Sequence, residues 1–126
     1  MTEKFQIGWF GDGGLGERMI QLILSGRKTS TTCPSYDTWD ANAKIGDTLE
    51  LIDKHGRVHG TIVIMKIETR RWDAFDESLA SAEGMTLAEL SERLRLANAH
   101  DIRPDEEMRV VHFRLQRKLD LKPRPR

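Results

Sequence analysis

The stretch from residue 58 to residue 68 constrains the fold most strongly, because it reads as a strand that is apolar on both faces. Two alternating sets of side chains produce this pattern: Val58, Ile62 and Ile64 on one face, and Val63, Met65 and Ile67 on the other. Such a strand is typical of the interior of a closed or covered sheet rather than of its edge. Residues 47–53 predict a partner strand, and the glycine in residues 54–57 favours a hairpin turn between the two.

A third strand is predicted at residues 109–117. Its apolar side chains, Val111, Phe113 and Leu115, alternate with polar ones, which is typical of a half-buried strand. The strands and the helices described next predict a small α+β domain with a curled antiparallel sheet flanked by helices.

Two helices are indicated by their end signals. Residues 12–25 predict the first helix, with Asp12 at its N-terminus and Gly26 as the left-handed residue that ends it. Thr86 and Glu89 form the T-x-x-E capping box of a second helix.

The size and charge of the chain limit the classes of function. A chain of 126 residues is expected to form one domain, which we place at residues 1–118, and its formal net charge of zero provides no global field that attracts nucleic acid. Residues 119–126 are basic and predict a flexible tail, with a phosphate-contacting arm as the alternative.

The location and the cofactors are predicted mainly from what the sequence lacks. The first residues do not resemble a signal peptide, the longest apolar run is too short for a membrane span, and a single cysteine fits a reducing compartment. We therefore expect a cytoplasmic protein with no membrane association. The four histidines lack metal-ligand spacing, and there is no P-loop or dinucleotide fingerprint, so we expect no metal and no cofactor.

Three sequence segments, taken in order, resemble the ASCH family. They are Phe10-Gly11-Asp12 with the helix and Gly26-x-Lys28-x-x-Thr31 that follow it, then Ile45-Gly46-Asp47, and then Ala82-Glu83-Gly84-Met85-Thr86-Leu87. The resemblance covers roughly residues 8–115. It implies a small PUA-like β-barrel with a cleft between the barrel and the helices.

One branch of the family, the bacterial N4-acetylcytidine amidohydrolases, is similar at Gly-Arg-Lys-Thr-x-Thr and at Glu-x-Met-Thr-Leu-x-Glu-Leu. This similarity implies that Lys28, Thr31 and Glu83 carry the hydrolysis, with a modified nucleoside or RNA as partner. Two alternatives stay open: a non-catalytic module that binds RNA or nucleotides, and a ribonuclease that uses the same cleft. Whether the protein is an enzyme, and whether it is a monomer or a dimer, is left open by the sequence.

The chemistry of this trio has one favourable and two unfavourable aspects. A threonine hydroxyl becomes a useful nucleophile when a desolvated lysine takes its proton, and Glu83 could hold that lysine or move protons. Lys28 and Thr31 would point to opposite faces of a regular strand, so a bend or bulge is needed for them to meet. In addition, Lys28 follows a helix C-terminus, whose partial negative charge favours the protonated amine.

Five further side chains are candidates for substrate or nucleic-acid binding. Tyr36 and Trp39 offer flat surfaces on which a base can stack. Arg27, Arg70 and Arg71 are positioned in the sequence as candidates for phosphate contact, although isolated surface arginines more often make none.

Overall fold

The computed structural model of the chain describes residues 3–34, 44–97 and 102–118. Tyr36, Trp39 and the tail at 119–126 lie outside the described residues, so their predicted roles stay predictions. Five strands and three α-helices occur in the described part: β1 (Glu3–Gln6), α1 (Leu15–Leu24), β2 (Ser30–Pro34), β3 (Thr48–Ile52), β4 (Val58–Arg71), α2 (Glu77–Ala82), α3 (Leu87–Ala97) and β5 (Glu107–Lys118).

The strands form one sheet in the order β1-β3-β4-β5-β2. β4 lies between β3 and β5, which confirms that the strand with two apolar faces is an interior strand. β1 pairs with β3 in parallel, because the chain crosses over through α1 and β2 between them, so the sheet is mixed rather than purely antiparallel. In the part of the chain that is described, β1 and β2 are the two edges and do not pair, so closure into a barrel is not confirmed.

Two apolar cores lie on the two faces of the sheet. The first joins α1 to β1, β3, β4 and β5, and includes Ile20 and Val111. The second joins α2 and α3 to the first half of β5, and includes Leu90 and Val110. Since Val110 and Val111 are neighbours in one strand but belong to different cores, β5 is buried on both faces at this point. β2 pairs with β5 there, and the candidate site begins on β2.

The end of α1 directs the chain onto β2. Gly26 has a φ of 80°, and its N–H donates to Ile23 O at 3.0 Å while the N–H of Arg27 donates to Leu22 O at 2.9 Å. Only a residue without a Cβ adopts this left-handed conformation at no cost, so the prediction that Gly26 ends the helix is confirmed. At the other end the helix begins at Leu15, later than predicted, because Asp12 caps the preceding turn by accepting from the N–H groups of Gly14 and Gly16.

The two short helices on the second core both have capped N-termini. Asp76 accepts a hydrogen bond from the N–H of Leu79 at 2.9 Å and so caps α2. The predicted capping box of α3 is confirmed: the N–H of Thr86 donates to Glu89 Oε1 at 2.9 Å, and the N–H of Glu89 donates to Thr86 Oγ1 at 3.1 Å. These caps fix the α2–α3 corner, which carries Glu83.

Candidate functional site

Lys28 is completely covered, although it is a lysine at the end of a helix. Its side chain is 0% exposed, and its Nζ donates to the backbone oxygen of Ser30 at 2.7 Å and to Glu83 Oε1 at 3.3 Å. The turn at Gly26 aims the lysine inward, under the α2–α3 corner. A buried ammonium group is tolerated only when it is paired and hydrogen-bonded, and both conditions are met here.

Glu83 is the hub of the site. It is the residue that ends α2, and its side chain is 0% exposed. Its Oε1 contacts Lys28 Nζ at 3.3 Å and Arg93 Nη2, from α3, at 3.4 Å, while its Oε2 accepts a hydrogen bond from the hydroxyl of Thr32. We call Lys28, Thr32, Glu83 and Arg93 the buried cluster; one carboxylate joins two cations and one hydroxyl in it.

The structure brings two of the three predicted catalytic residues together and puts the third on the other face of the strand. Thr32 lies opposite Val110 of the second core, whereas Thr31 lies opposite Val111 of the first core. Directly paired residues share a face, so Thr31 and Thr32 point in opposite directions. Among the described residues, no hydrogen bond joins the Thr31 side chain to Lys28 or Glu83. The role predicted for Thr31 stays a prediction. The hydroxyl group that Glu83 contacts belongs to Thr32.

Burial dominates the electrostatics of Lys28. Desolvation lowers the pKa of its amine, the charge of Glu83 raises it, and the charge of Arg93 lowers it, so that it falls from 10.5 to about 8. The partial negative charge at the C-terminus of α1 acts in the opposite direction and raises the pKa of Lys28. A helix end contributes roughly 0.3–1 kcal/mol at an exposed position, less than one pKa unit, whereas full burial shifts a pKa by as much as 3–5 units. The larger effect leaves roughly a tenth of the Lys28 amine neutral at pH 7.

Arg70 lines a pocket beside the buried cluster. The pocket has a volume of about 200 Å³ and lies between β4, β5 and α2, with Arg70, His112 and Ser78 in its wall. Ala82 also lines it and directly precedes Glu83, and His112 lies opposite Ser30 in the β2–β5 register. The pocket therefore adjoins the cluster on the side of the second core.

The two other predicted arginines lie elsewhere. Arg27 is exposed and lines a pocket of about 400 Å³ together with Gly84 and Thr86. Arg71 is exposed and pairs with Asp73, with its Nη2 at 2.7 Å from Asp73 Oδ2. The structure thus places Arg27 and Arg70 at two different pockets and Arg71 in a surface ion pair.

Within residues 3–34, 44–97 and 102–118, no group of three or more His, Cys, Asp or Glu side chains is arranged to hold a metal ion. No helix in these same ranges is long and apolar enough to cross a membrane.

Comparison with solved structures identifies the fold. A protein from Enterococcus faecalis assigned to the family model DUF984 superposes with a TM-score of 0.75 at 23% identity, over 94% of this chain and 78% of the other. An ASCH domain from Lactobacillus crispatus superposes with a TM-score of 0.71 at 20% identity, over 89% of this chain and 79% of the other. This chain has an ASCH-like fold.

A third solved structure agrees with the ASCH-like fold. A mutant ASCH protein from Zymomonas mobilis superposes with a TM-score of 0.55 at 16% identity, over 92% of this chain and 74% of the other. No family model and no curated protein sequence matches the chain. The predicted ASCH resemblance is thus confirmed as a likeness of fold.

Sequence reasoning missed two members of the buried cluster. Alternate side chains of a strand lie on the same face, so Lys28, Ser30 and Thr32 are expected on one face of an extended segment. This alternation could have indicated Thr32. No sequence pattern indicated Arg93, because it is one of several charged residues on the amphipathic helix α3. Only the packing of α3 on α2 brings its side chain to Glu83.

Proposed function

We propose that this ASCH-like protein is a nucleoside-directed amidohydrolase that deacetylates N4-acetylcytidine, free or within RNA, with the buried cluster as its catalytic site. The observation that carries the proposal is that Glu83 joins the amine of Lys28 to a threonine hydroxyl among fully buried side chains. A carboxylate in this position aligns the hydroxyl with a base, which is the arrangement that activates a weak nucleophile.

The reaction needs only these groups, the substrate and one water molecule. The threonine oxygen bonds to the carbonyl carbon of the acetyl group, and the hydroxyl proton passes by way of Glu83 to the neutral amine of Lys28. The bond between the carbonyl carbon and N4 then breaks as this proton is returned to N4, releasing cytidine. Water cleaves the acyl-threonine ester and releases acetate. With a Lys28 pKa of about 8, the amine can both accept and return a proton near neutral pH.

Two threonines compete for the role of nucleophile. The family resemblance proposes Thr31, whereas the hydrogen bond to Glu83 favours Thr32. A proton on Thr32 has a direct acceptor in the cluster, so we propose Thr32 as the nucleophile of this chain.

The pocket beside the cluster supports a second function, namely binding of RNA without catalysis. Arg70 and His112 line it, and an arginine in a concave site is suited to a phosphate group. Glu68 accepts from Arg70 Nε at 2.8 Å and lies 2.7 Å from His112 Nε2, so part of the cationic character of the pocket is already neutralised. This internal pairing makes catalysis by the cluster the better supported function.

The test is turnover of N4-acetylcytidine by the purified protein, followed as release of cytidine and acetate. We expect turnover by the wild type and a fall of about 10²–10⁴-fold in kcat for Lys28→Met and Glu83→Gln. Arg71→Gln is the matched control, because Arg71 is exposed and pairs only with surface carboxylate in the described part of the chain. A folded wild type that leaves the substrate intact contradicts the proposal. Salt-dependent RNA binding without turnover would support the binding function, and RNA cleavage lost in Lys28→Met would support a ribonuclease.

A further inference from the structure

The guanidinium group of Arg93 has an N–H donor that finds no acceptor in the buried cluster. Its side chain is 10% exposed, and its Nη2 lies 3.4 Å from Glu83 Oε1. Its Nε is fully covered and has no hydrogen-bond partner in the part of the chain that is described. A buried guanidinium N–H without an acceptor is rare and costly, because the group has lost its water without gaining a partner.

Ser30, beside Lys28, also has a buried side-chain atom without a hydrogen-bond partner. Its side-chain oxygen is buried and lacks a hydrogen-bond partner among the described residues, while its backbone oxygen accepts from Lys28 Nζ at 2.7 Å. Ser30 and Arg93 therefore both belong to the immediate surroundings of Lys28 and Glu83. Two buried polar atoms without partners thus surround one centre, and both are able to donate a hydrogen bond to an acceptor.

The buried cluster also carries an excess of positive charge. With Lys28 protonated, two cations face the single carboxylate of Glu83, and all three side chains are at least nine-tenths buried. Buried charge of one sign without a counterpart is unfavourable, so an anion or a strongly polarised oxygen would be stabilised in this position. The unmatched donors and the excess positive charge thus call for the same kind of group.

We propose that Arg93 Nε and Ser30 Oγ form an oxyanion site, which holds the acyl oxygen of the substrate and the negative charge that develops on it during attack. The proposal rests on the amidohydrolase function proposed above and adds two substrate-binding groups to it. Thr32 and Arg93 contact the two oxygens of the same carboxylate, and the Ser30 backbone oxygen accepts from Lys28, so all three residues border the centre at which the proposed attack by Thr32 takes place. Donors that are fixed before the reaction stabilise such a charge most effectively.

The kinetic test compares wild type with Arg93→Lys, which keeps the positive charge but removes the Nε donor. We expect kcat to fall by about 10²–10³-fold with KM changed far less, as is typical when one oxyanion donor is lost. In Arg93→Ala, added guanidinium should restore part of kcat, whereas added methylammonium should not. A residue that only supported the fold would lower stability and leave kcat unchanged in Arg93→Lys, and that result would overturn the proposal.

A second measurement does not depend on turnover. Acetate serves as the oxyanion probe, and the midpoint of urea unfolding is compared in sodium acetate and in sodium chloride of equal ionic strength. We expect acetate to raise the midpoint of the wild type and to lose this effect in Arg93→Lys. If Arg93→Lys does not fold, Ser30→Ala removes the other donor and keeps the charges, and its acetate effect should be reduced.

The two measurements separate the two proposals. An acetate effect that depends on Arg93 in a protein without turnover would support the oxyanion site and contradict the amidohydrolase. Turnover by the wild type with equal kcat in Arg93→Lys, or an acetate effect unchanged in both variants, would overturn the oxyanion site alone.

Discussion

Replacing Lys28 with methionine should change how the stability of the protein depends on pH. In the unfolded chain the amine has a pKa near 10.5, whereas burial lowers the pKa of Lys28 to about 8 in the folded protein. Between these two values the unfolded state binds more protons, so the free energy of unfolding rises with pH. Below about 8 the amine is protonated in both states, and its unfavourable contribution is constant.

The magnitude follows from the two pKa values. A separation of about 2.5 units corresponds to about 3 kcal/mol, gained as the pH rises from about 8 to about 10.5. Urea unfolding of wild type and Lys28→Met, from neutral pH upward, gives this quantity as the difference between the two proteins. The subtraction removes the titration of groups that both proteins share.

The matched control is Lys66→Met, because the Lys66 side chain is 65% exposed. We expect a rising difference for Lys28→Met and no comparable rise for Lys66→Met. If the difference between wild type and Lys28→Met stays constant over the whole range, the buried lysine does not titrate as described, and the proposed proton acceptor fails with it.

Two further predictions concern the fold that holds the site. Burial acts to raise the pKa of Asp53, but hydrogen bonds from His59, Arg57 and His55 hold this pKa well below its usual value of 3.8. The Asp53 carboxylate therefore stabilises the fold above pH 3.8, and this stabilisation is lost as the pH falls further. Asp53→Asn should therefore be less stable than wild type at neutral pH, and the difference should shrink in acid unfolding; a difference that is constant with pH would contradict the assignment. Gly26→Ala should cost about 1–2 kcal/mol in urea unfolding, since a Cβ at φ 80° is strained although it meets no heavy atom within 4 Å. An unchanged midpoint would show that the turn relaxes.

The sequence predicted those parts of the fold that depend on local pattern. The apolar runs located β3, β4 and β5, Gly26 marked the end of α1, and the T-x-x-E motif marked the start of α3. β1 was not predicted, because it is a four-residue strand whose pairing with β3 is set by a distant part of the chain. The open, mixed sheet depends on that same long-range pairing.

Only those residues of the candidate site that lie in recognisable sequence motifs could be predicted. Lys28 and Glu83 were indicated by segments that lie far apart in the sequence, and they form an ion pair at 3.3 Å in the structure. The position of Thr32 on the face of Lys28 depends on where β2 begins, which residue patterns locate poorly. Arg93 reaches Glu83 only because α3 packs beside α2, and no local signal encodes that contact.

The central claim is that the hydroxyl held by Glu83 performs the hydrolysis, and a paired substitution tests it most directly. Thr31→Val and Thr32→Val remove the hydroxyl from adjacent residues of one strand whose side chains face opposite cores. The measurement is the kcat of each variant on N4-acetylcytidine, with folding checked by urea unfolding. We predict that Thr32→Val abolishes turnover and that Thr31→Val retains it. Turnover that survives in Thr32→Val would contradict the claim.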